Sequence, residues 1–531
     1  MTTCNPSDVR AEHVHLSARI LSGSALALSL VLTACGGGGG GGGGSSATSG
    51  SSSYQVGGTL TGLSSGTSVT LKNGSASLTL AGNGAFSFPT QEASGSTYDV
   101  TVGTEPALPE HCSVSQGSGT VNGANVTSVN VACTQTITET VLYRFIGSPT
   151  DGSAPFSGLI EDASGDLFGT TSYGGGSSNC TGGCGTVFEL KPTASGGYAE
   201  AILYSFGANA TDGMHPFAGL VADASGNLFG TTNAGGSSNC TGGCGTVFEL
   251  KPTGSGGYAE AVLWRFAGPG ADGDDPYGDL IMDRSGDLFG TTELGGASSE
   301  GIVFELIPNG NNYVETALYS FGSNGANDAA YPYAGLIEDS SGDLFGTTEY
   351  GGSGGHGAVF ELTPGSLGYQ ESVLYSFKGG TTDGSAPYAG LIEDSLGNLF
   401  GTTSAGGSSA SGTVFELKPN GSGPYTETVL HNFTGGTAGD GVPYAGLIED
   451  SSGDLFGTTN GGLAGNGTVF ELTPGGTGYT ETVLHSFANN GVDGRSPYYG
   501  SLLQDASGDL FGTTWLGGST SSNAGTVFEI Q

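Results

Sequence analysis

Short runs of alternating apolar and polar residues recur in the same order seven times between Asp166 and Gln531. Alternation with a period of two predicts half-buried strands. The Ser-Ser-Gly sequence between the second and third runs of the fourth copy predicts a tight hairpin, in which Asp339 accepts hydrogen bonds from the turn backbone and Gly342 adopts a positive φ. Each copy is therefore predicted to form four short antiparallel strands. In the fourth copy the runs are residues 315–321, 334–339, 343–348 and 358–362.

The clearest shared sequence is Leu-Phe-Gly-Thr-Thr preceded by Asp or Asn. A period of about 55 to 61 residues, sustained over seven copies, is typical of a solenoid or a propeller. The coils of a β-solenoid are usually shorter and do not explain four strands with tight hairpins, so we predict an all-β propeller with one copy per blade. This shared sequence begins at Asp166, Asn227, Asp287, Asp343, Asn398, Asp454 and Asp509.

The phase of the repeat predicts how the ring closes. The region opens with an apolar run at residues 140–145 and ends with a run at 525–531. If the Gly-Leu-Ile-Glu-Asp run is the innermost strand, the last copy lacks an outermost strand, and the opening run supplies it. Such a closure leaves no sheet edge exposed. We therefore predict that residues 137–531 form a seven-bladed β-propeller.

Residues 54–134 carry a different pattern. Alternating runs are separated by Asn-Gly and Gly-Asn-Gly turns, which is typical of antiparallel strands. This length and pattern predict a small β-sandwich. The segment resembles the immunoglobulin-like or transthyretin-like spacers that bacterial lipoproteins place after their tethers, so we interpret it as a spacer rather than a ligand-binding module.

Residues 1–35 have the features of a targeting segment. Arg10 and Arg19 precede an apolar stretch at residues 20–32 that is too short to span a bilayer as a mature helix. It ends in Leu-Thr-Ala followed by Cys35, which resembles the lipobox of bacterial lipoproteins, where the cysteine carries lipid. The alternative is an ordinary secretory leader with an incidental cysteine. Residues 36–53, which begin with nine glycines, predict a flexible tether.

The acidic composition of the chain makes some classes of binding partner unfavourable. The chain has 104 glycines, and its 11 Lys and Arg against 49 Asp and Glu give a net charge of −38. Such a surface repels nucleic-acid phosphates and anionic lipid headgroups. We therefore expect no nucleic-acid partner, and membrane contact only through the N-terminal lipid. We expect a monomer outside the cytoplasm, lipid-anchored at the bacterial outer membrane or cell surface.

Cysteine usage fits an oxidising compartment. Of the eight cysteines, Cys4 leaves with the leader and Cys35 carries lipid, so an even number remains. We predict that they pair within the small domain and within two Cys-Thr-Gly-Gly-Cys loops. A four-thiolate metal site shared by these two loops is the alternative. The predicted pairs are Cys112 with Cys133, Cys180 with Cys184, and Cys240 with Cys244.

The repeat units resemble a known family. The sequence from Tyr388 to Asp394, running on to Gly401-Thr402-Thr403, is similar to the GloVer tandem repeats, which occur in secreted or anchored bacterial proteins with varied anchors. The resemblance extends over all seven copies. It implies architecture and surface location, and it implies no established activity. The hairpin sequence also resembles, more weakly, the NHL propeller pattern.

Two phenylalanines recur at mid-strand positions in every copy. Large aromatic side chains fill the space between twisted blades, so we predict core packing. An aromatic ligand platform is the alternative. The residues are Phe168, Phe229, Phe289, Phe345, Phe400, Phe456 and Phe511 in the first set, and Phe188, Phe248, Phe304, Phe360, Phe415, Phe470 and Phe528 in the second.

An aspartate precedes the innermost strand of each copy, most often in an Asp-Gly pair with a proline close behind. We interpret these residues as turn caps before a residue of fixed φ. The alternative is a ring of carboxylates at one channel mouth that attracts Ca²⁺. We expect no cofactor and no metal. The residues are Asp151, Asp212, Asp272, Asp328, Asp383, Asp440 and Asp493. The hairpin acids, such as Asp162 and Asp166, are expected to stabilise turns at the opposite mouth.

The loop after each Gly-Thr-Thr differs between copies and is expected on the same face as the Asp-Gly-Pro loops. Function is often found where equivalent loops differ. Three aromatic side chains there can stack on a sugar ring, and three polar ones can hydrogen bond it. This predicted ligand-binding face consists of Tyr173, Asn233, Glu293, Glu349, Tyr350 and Trp515.

Signals for catalysis are weak. His215, His356, His431 and His485 are taken to occupy different structural positions, so they predict neither a metal cage nor a paired nucleophile. We therefore expect a binding or scaffold protein, for an extracellular glycan or protein, and no enzyme. One alternative is a glycan-cleaving hydrolase or lyase using Glu293 and Glu349, which occupy equivalent loops of adjacent copies. The other is a structural envelope protein without a dedicated ligand.

Overall fold

The computed structural model of the chain describes residues 53–531, apart from 65–66, 105, 107–109, 136, 195, 255, 269, 271, 311, 326, 367, 422, 437–440, 462–464, 477 and 520–521. Cys35, the predicted leader, all but the end of the tether, and Asp440 lie outside the described residues. The named elements are all β-strands. Among the described residues, no helix has the length and apolar character needed to cross a membrane.

The N-terminal part of the described chain forms two four-stranded sheets around one core. Their orders are β4-β1-β8-β6 and β3-β2-β5-β7. The core includes Val56, Leu71, Phe88 and Val131 from both sheets. One pairing departs from the predicted antiparallel pattern, because β1 and β8 run parallel. The strands are β1 (Ser53–Thr61), β2 (Val69–Asn73), β3 (Ala76–Leu80), β4 (Gly84–Ala93), β5 (Thr97–Thr104), β6 (Glu110–Ser115), β7 (Ser118–Thr120) and β8 (Val126–Gln135).

The repeat region begins with β9 and continues with short strands in a regular order. The strands of the first half are β9 (Glu139–Arg144), β10 (Gly152–Ser153), β11 (Ile160–Glu161), β12 (Leu167–Thr171), β13 (Tyr173–Gly174), β14 (Thr186–Pro192), β15 (Tyr198–Ser205), β16 (Gly213–Met214), β17 (Val221–Ala222), β18 (Leu228–Thr232), β19 (Ala234–Gly235), β20 (Thr246–Pro252), β21 (Tyr258–Arg265), β22 (Gly273–Asp274), β23 (Ile281–Met282), β24 (Leu288–Thr292), β25 (Leu294–Gly295), β26 (Ile302–Asn309) and β27 (Asn312–Ser320).

The second half continues in the same order. Its strands are β28 (Ala329–Ala330), β29 (Ile337–Glu338), β30 (Leu344–Thr348), β31 (Tyr350–Gly351), β32 (Ala358–Gly365), β33 (Gly368–Ser376), β34 (Gly384–Ser385), β35 (Ile392–Glu393), β36 (Leu399–Thr403), β37 (Ala405–Gly406), β38 (Thr413–Asn420), β39 (Gly423–Asn432), β40 (Ile448–Glu449), β41 (Leu455–Thr459), β42 (Thr468–Gly475), β43 (Gly478–Ser486), β44 (Gly494–Arg495), β45 (Leu503–Gln504), β46 (Leu510–Thr514), β47 (Leu516–Gly517) and β48 (Thr526–Ile530).

Within the described residues these strands form seven antiparallel four-stranded sheets. The first six take all their strands from consecutive sequence, as in β11-β12-β14-β15. The last has the order β45-β46-β48-β9, so its outermost strand comes from the start of the region. Thr526 pairs with Arg144 and Ile530 with Glu139. The strand pairing predicted from the phase of the repeat is therefore present, and the sheets are compatible with propeller-like blades.

Each sheet packs on the next through the recurring phenylalanines. Phe168 of the first sheet lies in one buried cluster with Leu228 and Phe248 of the second. Equivalent clusters join each later pair of sheets. The seventh cluster contains Phe511 of the last sheet with Phe188 of the first. All fourteen recurring phenylalanines are buried, with at most 5% of their surface exposed, which confirms the core-packing prediction.

The Asp-x-Ser-Gly hairpin has the predicted turn chemistry. The backbone N–H groups of Ser341 and Asp343 donate to Asp339 Oδ1 over 2.8 and 2.9 Å. Gly342 has a φ of +85°, which favours glycine. Asp162 caps the first copy in the same way, accepting from the N–H groups of Ser164 and Asp166. Asp162 therefore stabilises the turn, as predicted, whereas the Asp166 carboxylate accepts from Lys191 Nζ instead.

The Gly-Thr-Thr sequence fills a crowded layer between sheets. A Cβ on Gly346 would lie 2.6 Å from Phe360 Cζ, so the third residue of the strand must be small. The next residue reaches the neighbouring sheet, since Thr347 Oγ1 donates to the Ala389 carbonyl over 2.8 Å. In the last sheet Thr513 donates to the carbonyl of Ser157 in the first sheet over 2.8 Å. The inter-sheet contact thus continues across the junction between the two ends of the region.

Candidate ligand-binding face

In six of the seven copies, two loops of the described chain lie together on one face. The loop entering the innermost strand pairs with the loop after Gly-Thr-Thr, as β10 pairs with β13 through Gly152 and Gly174. A second contact fixes the variable residues, because the N–H of Glu293 donates to the Asp275 carbonyl and that of Glu349 to the Tyr331 carbonyl, each over 3.0 Å. The prediction that these loops share a face is confirmed.

The carbonyl partners in these contacts have an unusual backbone. His215, Asp275 and Tyr331 have φ values of 58°, 56° and 62°, and each precedes a proline. Positive φ is costly for residues with a Cβ and is found where surrounding structure imposes it, often at functional sites. The strained residues present their side chains beside the variable loops.

One aromatic residue follows the proline of each copy, and together these seven residues form what we call the aromatic collar. Neighbouring ring centroids lie 4.4 to 5.4 Å apart around the whole set, including 5.4 Å between Tyr498 and Phe156, which returns the contacts to the first copy. Contacts at these distances are attractive. The collar consists of Phe156, Phe217, Tyr277, Tyr333, Tyr388, Tyr444 and Tyr498.

The last copy carries an additional tyrosine, Tyr499, whose ring lies inside the collar. Its centroid is 4.4 to 6.2 Å from those of five collar residues. Beneath it is a cavity of about 320 Å³, lined by the innermost strands, by collar tyrosines and by Tyr499. Tyr499 therefore covers the central space on the side of the variable loops.

A cluster of acids lies beside the collar in the second, third and fourth copies. Asn233 Nδ2 donates to Asp275 Oδ1 over 3.1 Å. The hydroxyl of the collar residue Tyr388 donates to Glu349 Oε1. Burial, with further repulsion from Asp275 and Glu349, raises the pKa of Glu293 to about 7. Burial and repulsion from Asp274 raise the pKa of Asp275 to about 6. The cluster therefore holds protonated and ionised carboxyls together near neutral pH.

The remaining predicted residues lie elsewhere around the face. Tyr350 is 50% exposed and its ring contacts Tyr331 at 5.9 Å, close to Glu349. Tyr173 is 36% exposed and lies against His215 at 4.9 Å. Trp515 packs on the collar residue Phe156 at 5.3 Å. The structure thus brings Asn233, Glu293, Glu349 and Tyr350 into one acidic cluster and leaves Tyr173 and Trp515 outside it.

The aspartates before the innermost strands are turn caps. Asp151 Oδ2 accepts from the Ile146 N–H over 2.7 Å, and its Oδ1 accepts from the Gly152 N–H over 2.6 Å. Tyr143, at the end of the outermost strand of the last sheet, also donates to Asp151. Within the described residues, six of the seven carboxylates therefore lie next to the outermost strands, which supports the turn-cap interpretation.

The disulfide predictions agree with the structure. Cys112–Cys133, Cys180–Cys184 and Cys240–Cys244 are bonded. Cys240 and Cys244 lie near Asp274. Sulfur atoms joined in a disulfide are not thiolates and do not act as metal ligands, so the alternative of a four-thiolate site is wrong.

The prediction that the four histidines of the repeat region occupy different structural positions is wrong for two of them. His431 pairs with Val414, and His485 pairs with Val469, at the same register position of two successive sheets. Both replace the tyrosine that stands there in most other copies, such as Tyr143 and Tyr375.

The collar was missed in the sequence although a signal for it exists. Each proline near the innermost strand is followed at once by Phe or Tyr in all seven copies. The Tyr388–Glu349 contact has no comparable signal, because it joins loops of neighbouring copies.

Comparisons with known proteins give a family and remote structural similarity. Residues 111–341 and 331–531 match a family described as the Gloeobacter/Verrucomicrobia repeat. No curated protein matches the chain.

Similar solved structures include a candidate 6-phosphogluconolactonase from Bacteroides uniformis, with 14% identity, a TM-score of 0.42, and coverage of 64% of this chain and 86% of the other. A protein of unknown function from Dyadobacter fermentans has 11% identity, a TM-score of 0.36, and coverage of 74% and 99%. A candidate glucose dehydrogenase from Thermus thermophilus has 16% identity, a TM-score of 0.35, and coverage of 60% and 96%. With TM-scores this low, the similarities carry no argument about activity.

Proposed function

We propose that this chain, which belongs to the Gloeobacter/Verrucomicrobia repeat family, is a surface-exposed seven-bladed propeller that binds a glycan through its collar face. An N-terminal lipid on Cys35 and an immunoglobulin-like spacer at residues 54–134 would hold the propeller away from the membrane. The disulfides support a location outside the cytoplasm. The seven packed sheets and the unbroken circle of collar contacts support the count of blades.

One observation carries the ligand proposal. Asn233, Asp275, Glu293 and Glu349 form an acidic cluster beside the aromatic rings of the collar, and the exposed Tyr350 lies next to Glu349. Sugars are recognised by stacking on aromatic faces and by hydrogen bonds to polar side chains at fixed positions. Because the cluster is acidic, a neutral or amino-bearing glycan fits better than an acidic one.

The test is a glycan array probed with the purified protein, followed by calorimetry with the best ligand. We expect Tyr350→Ala to weaken binding about tenfold, or about 1.4 kcal/mol, because it removes an exposed stacking surface. Leu396→Ala is the matched control. Leu396 is 78% exposed and lies in the hairpin between β35 and β36, on the opposite face. A failure of all glycans to bind, or binding that Tyr350→Ala leaves unchanged, would contradict the proposal and favour a structural or protein-binding role.

A second candidate function is cleavage of the bound glycan. The pKa of Glu293 is raised to about 7 by burial and by repulsion from Asp275 and Glu349, while Glu349 accepts a hydrogen bond from Tyr388. Two carboxyls in unlike environments can act as proton donor and base. The test is release of reducing ends from a glycan that binds. Turnover that Glu293→Gln removes, with binding retained, would establish the hydrolase or lyase. Binding without turnover would leave the binding function alone.

A further inference from the structure

In the first five copies, each junction between neighbouring sheets brings three side chains together at the outer edge of the repeat region. They are an aromatic residue at the end of one outermost strand, the capping aspartate of the following loop, and a glutamate on the next outermost strand. In the first copy these are Tyr143, Asp151 and Glu200. Tyr143 donates to Asp151 Oδ2 over 3.2 Å, and the Glu200 carboxyl is close enough to Asp151 to be repelled by it.

The junction that joins the two ends of the region differs in composition from these five. His485 takes the place of the tyrosine, and its partners are Asp493 and Glu139. His485 Nε2 lies 3.3 Å from Asp493 Oδ2. One potential ligand atom from each of the three residues lies within 4.8 Å of the other two. Two carboxylates and an imidazole nitrogen therefore converge on one small volume.

Two acceptor atoms in this group have no hydrogen-bond partner among the described residues. They are Asp493 Oδ1 and Glu139 Oε1, both buried. Asp493 as a whole is only 7% exposed. In the first five copies the equivalent Oδ1 accepts the N–H of the next residue, as Asp151 does from Gly152. Asp493 lacks that bond, so its buried oxygen remains available to another partner.

We propose that Glu139, His485 and Asp493 bind a divalent transition-metal ion of the Zn²⁺ class. One imidazole and two carboxylates form a common ligand set for such ions, whereas Ca²⁺ prefers ligands that are all oxygen. Ligand atoms about 2.0 to 2.2 Å from one ion are separated by roughly 3 to 3.5 Å. His485 Nε2 lies 3.3 Å from Asp493 Oδ2, within this range, and the Glu139 carboxyl, within 4.8 Å of both, would move closer when the ion binds.

Contacts outside the three ligands support their orientation. The Ala488 N–H donates to Asp493 Oδ2 over 2.7 Å. The His485 ring packs edge-on against Phe487, with centroids 4.8 Å apart. Hydrogen bonds and packing around metal ligands hold them in position for the ion.

The position of the site gives the ion a structural role. Glu139 lies on β9, the strand that completes the last sheet, while His485 lies on β43, the outermost strand of the sixth sheet. An ion bound by both would link the closing strand to the neighbouring sheet. Metal binding would thus stabilise the closure between the first and last parts of the repeat region.

The experiment measures metal content and thermal stability of the purified full chain after chelator treatment and removal of the chelator. Zn²⁺ is added, unbound ion is removed by gel filtration, and bound zinc is counted by mass spectrometry. The informative variant is His485→Tyr, which restores the side chain of Tyr143 and Tyr375 and keeps a donor for Asp493. Glu139→Gln removes a second ligand without changing its shape. His356→Asn is the control, because His356 is an exposed imidazole elsewhere on the repeat region.

We expect His485→Tyr and Glu139→Gln each to bind one equivalent of zinc less than the wild type and His356→Asn. Zinc should raise the melting temperature of the wild type and of His356→Asn by a few degrees, and that of His485→Tyr by less. Cobalt(II) should give a visible absorption band that is lost in the same two variants. Equal zinc content in the wild type and His485→Tyr, or no zinc in the wild type, would overturn the proposal.

Discussion

Replacing one junction glutamate by glutamine should stabilise the protein at alkaline pH and leave it unchanged at acidic pH. The Glu200 Oε1 atom is buried without a hydrogen-bond partner among the described residues. Burial, with added repulsion from Asp151, raises the pKa of Glu200 from 4.5 to about 7. Glu200→Gln removes the ionisable group and retains its shape, so it isolates the electrostatic cost of the carboxylate.

The direction of the pH dependence of stability follows from the raised pKa of Glu200. Below about pH 4.5 the carboxyl is protonated in both the folded and the unfolded chain, and it carries no charge penalty. Between pH 4.5 and about 7 the unfolded chain releases the proton and the folded chain retains it, so the free energy of unfolding falls. Above pH 7 the full penalty remains. The variant should therefore gain stability across this window.

The magnitude has an upper limit set by the change in pKa. A rise from 4.5 to about 7 corresponds to about 3.4 kcal/mol. The carboxyl is only partly buried, so screening by solvent reduces the expected gain to about 1 to 2 kcal/mol. Burial and a neighbouring aspartate also raise the pKa to about 7 in four equivalent glutamates, Glu260, Glu315, Glu371 and Glu427. Each of them should lower the free energy of unfolding of the wild type over the same pH range as Glu200 does.

The assay is urea unfolding followed by far-ultraviolet circular dichroism at pH 4.0 and pH 8.0. Asp99→Asn, which removes an exposed carboxylate on β5, is the control and should show no comparable pH-dependent gain. A Glu200→Gln variant that is less stable than the wild type at pH 8.0, or that gains equally at both pH values, would refute the reasoning.

Three further outcomes are expected. Gly346→Ala should lower the free energy of unfolding by about 1 to 3 kcal/mol, because the added Cβ would lie 2.6 Å from Phe360 Cζ. The control in the same urea titration is Gly82→Ala, since a Cβ at Gly82 would meet open space. Asp279→Gly should raise the melting temperature at pH 8 and not at pH 3, because desolvation within the central cavity raises the pKa of Asp279, whose Oδ1 accepts the Gly219 N–H. An equal effect at both pH values would contradict this. Replacing Cys180 and Cys184 by serine should lower the free energy of unfolding by about 2 kcal/mol, because the disulfide closes a short loop. A reductant should lower the melting temperature of the wild type more than that of this variant.

Local sequence determined much of the fold. The hairpin at Asp339 and Gly342 could be predicted because its hydrogen bonds join residues within five positions. The burial of Phe345 and Phe360 could be predicted because large aromatic side chains at the same strand position in every copy are typical of packing between twisted sheets. The pairing of β9 with β48 followed from counting strands per copy. These inferences need only periodicity and turn chemistry.

The site could not be predicted to the same extent, because its contacts join different copies. Glu349 was singled out for its variable loop, but its partner Tyr388 belongs to the next copy, and nothing in either local sequence indicates the hydrogen bond. The group of Glu139, His485 and Asp493 depends on ring closure, which brings the two ends of the region together. The parallel pairing of β1 with β8 was missed for a similar reason, since alternation does not reveal strand direction.

Departures from the repeat are the best guide to function in a molecule built this way. A residue shared by all copies, such as Phe360 or Thr347, is explained by packing between sheets. The exceptions require another explanation: Tyr499 is an additional ring inside the collar, and Asp279 replaces the glycine found at Gly335 and its equivalents. The Asp279 side chain lines the central cavity, where desolvation raises the pKa of its carboxyl, so the ionised form lowers stability at neutral pH. Its presence in one copy alone, on the side of the ring that also holds Glu293, indicates that the ring is asymmetric where a ligand would be recognised.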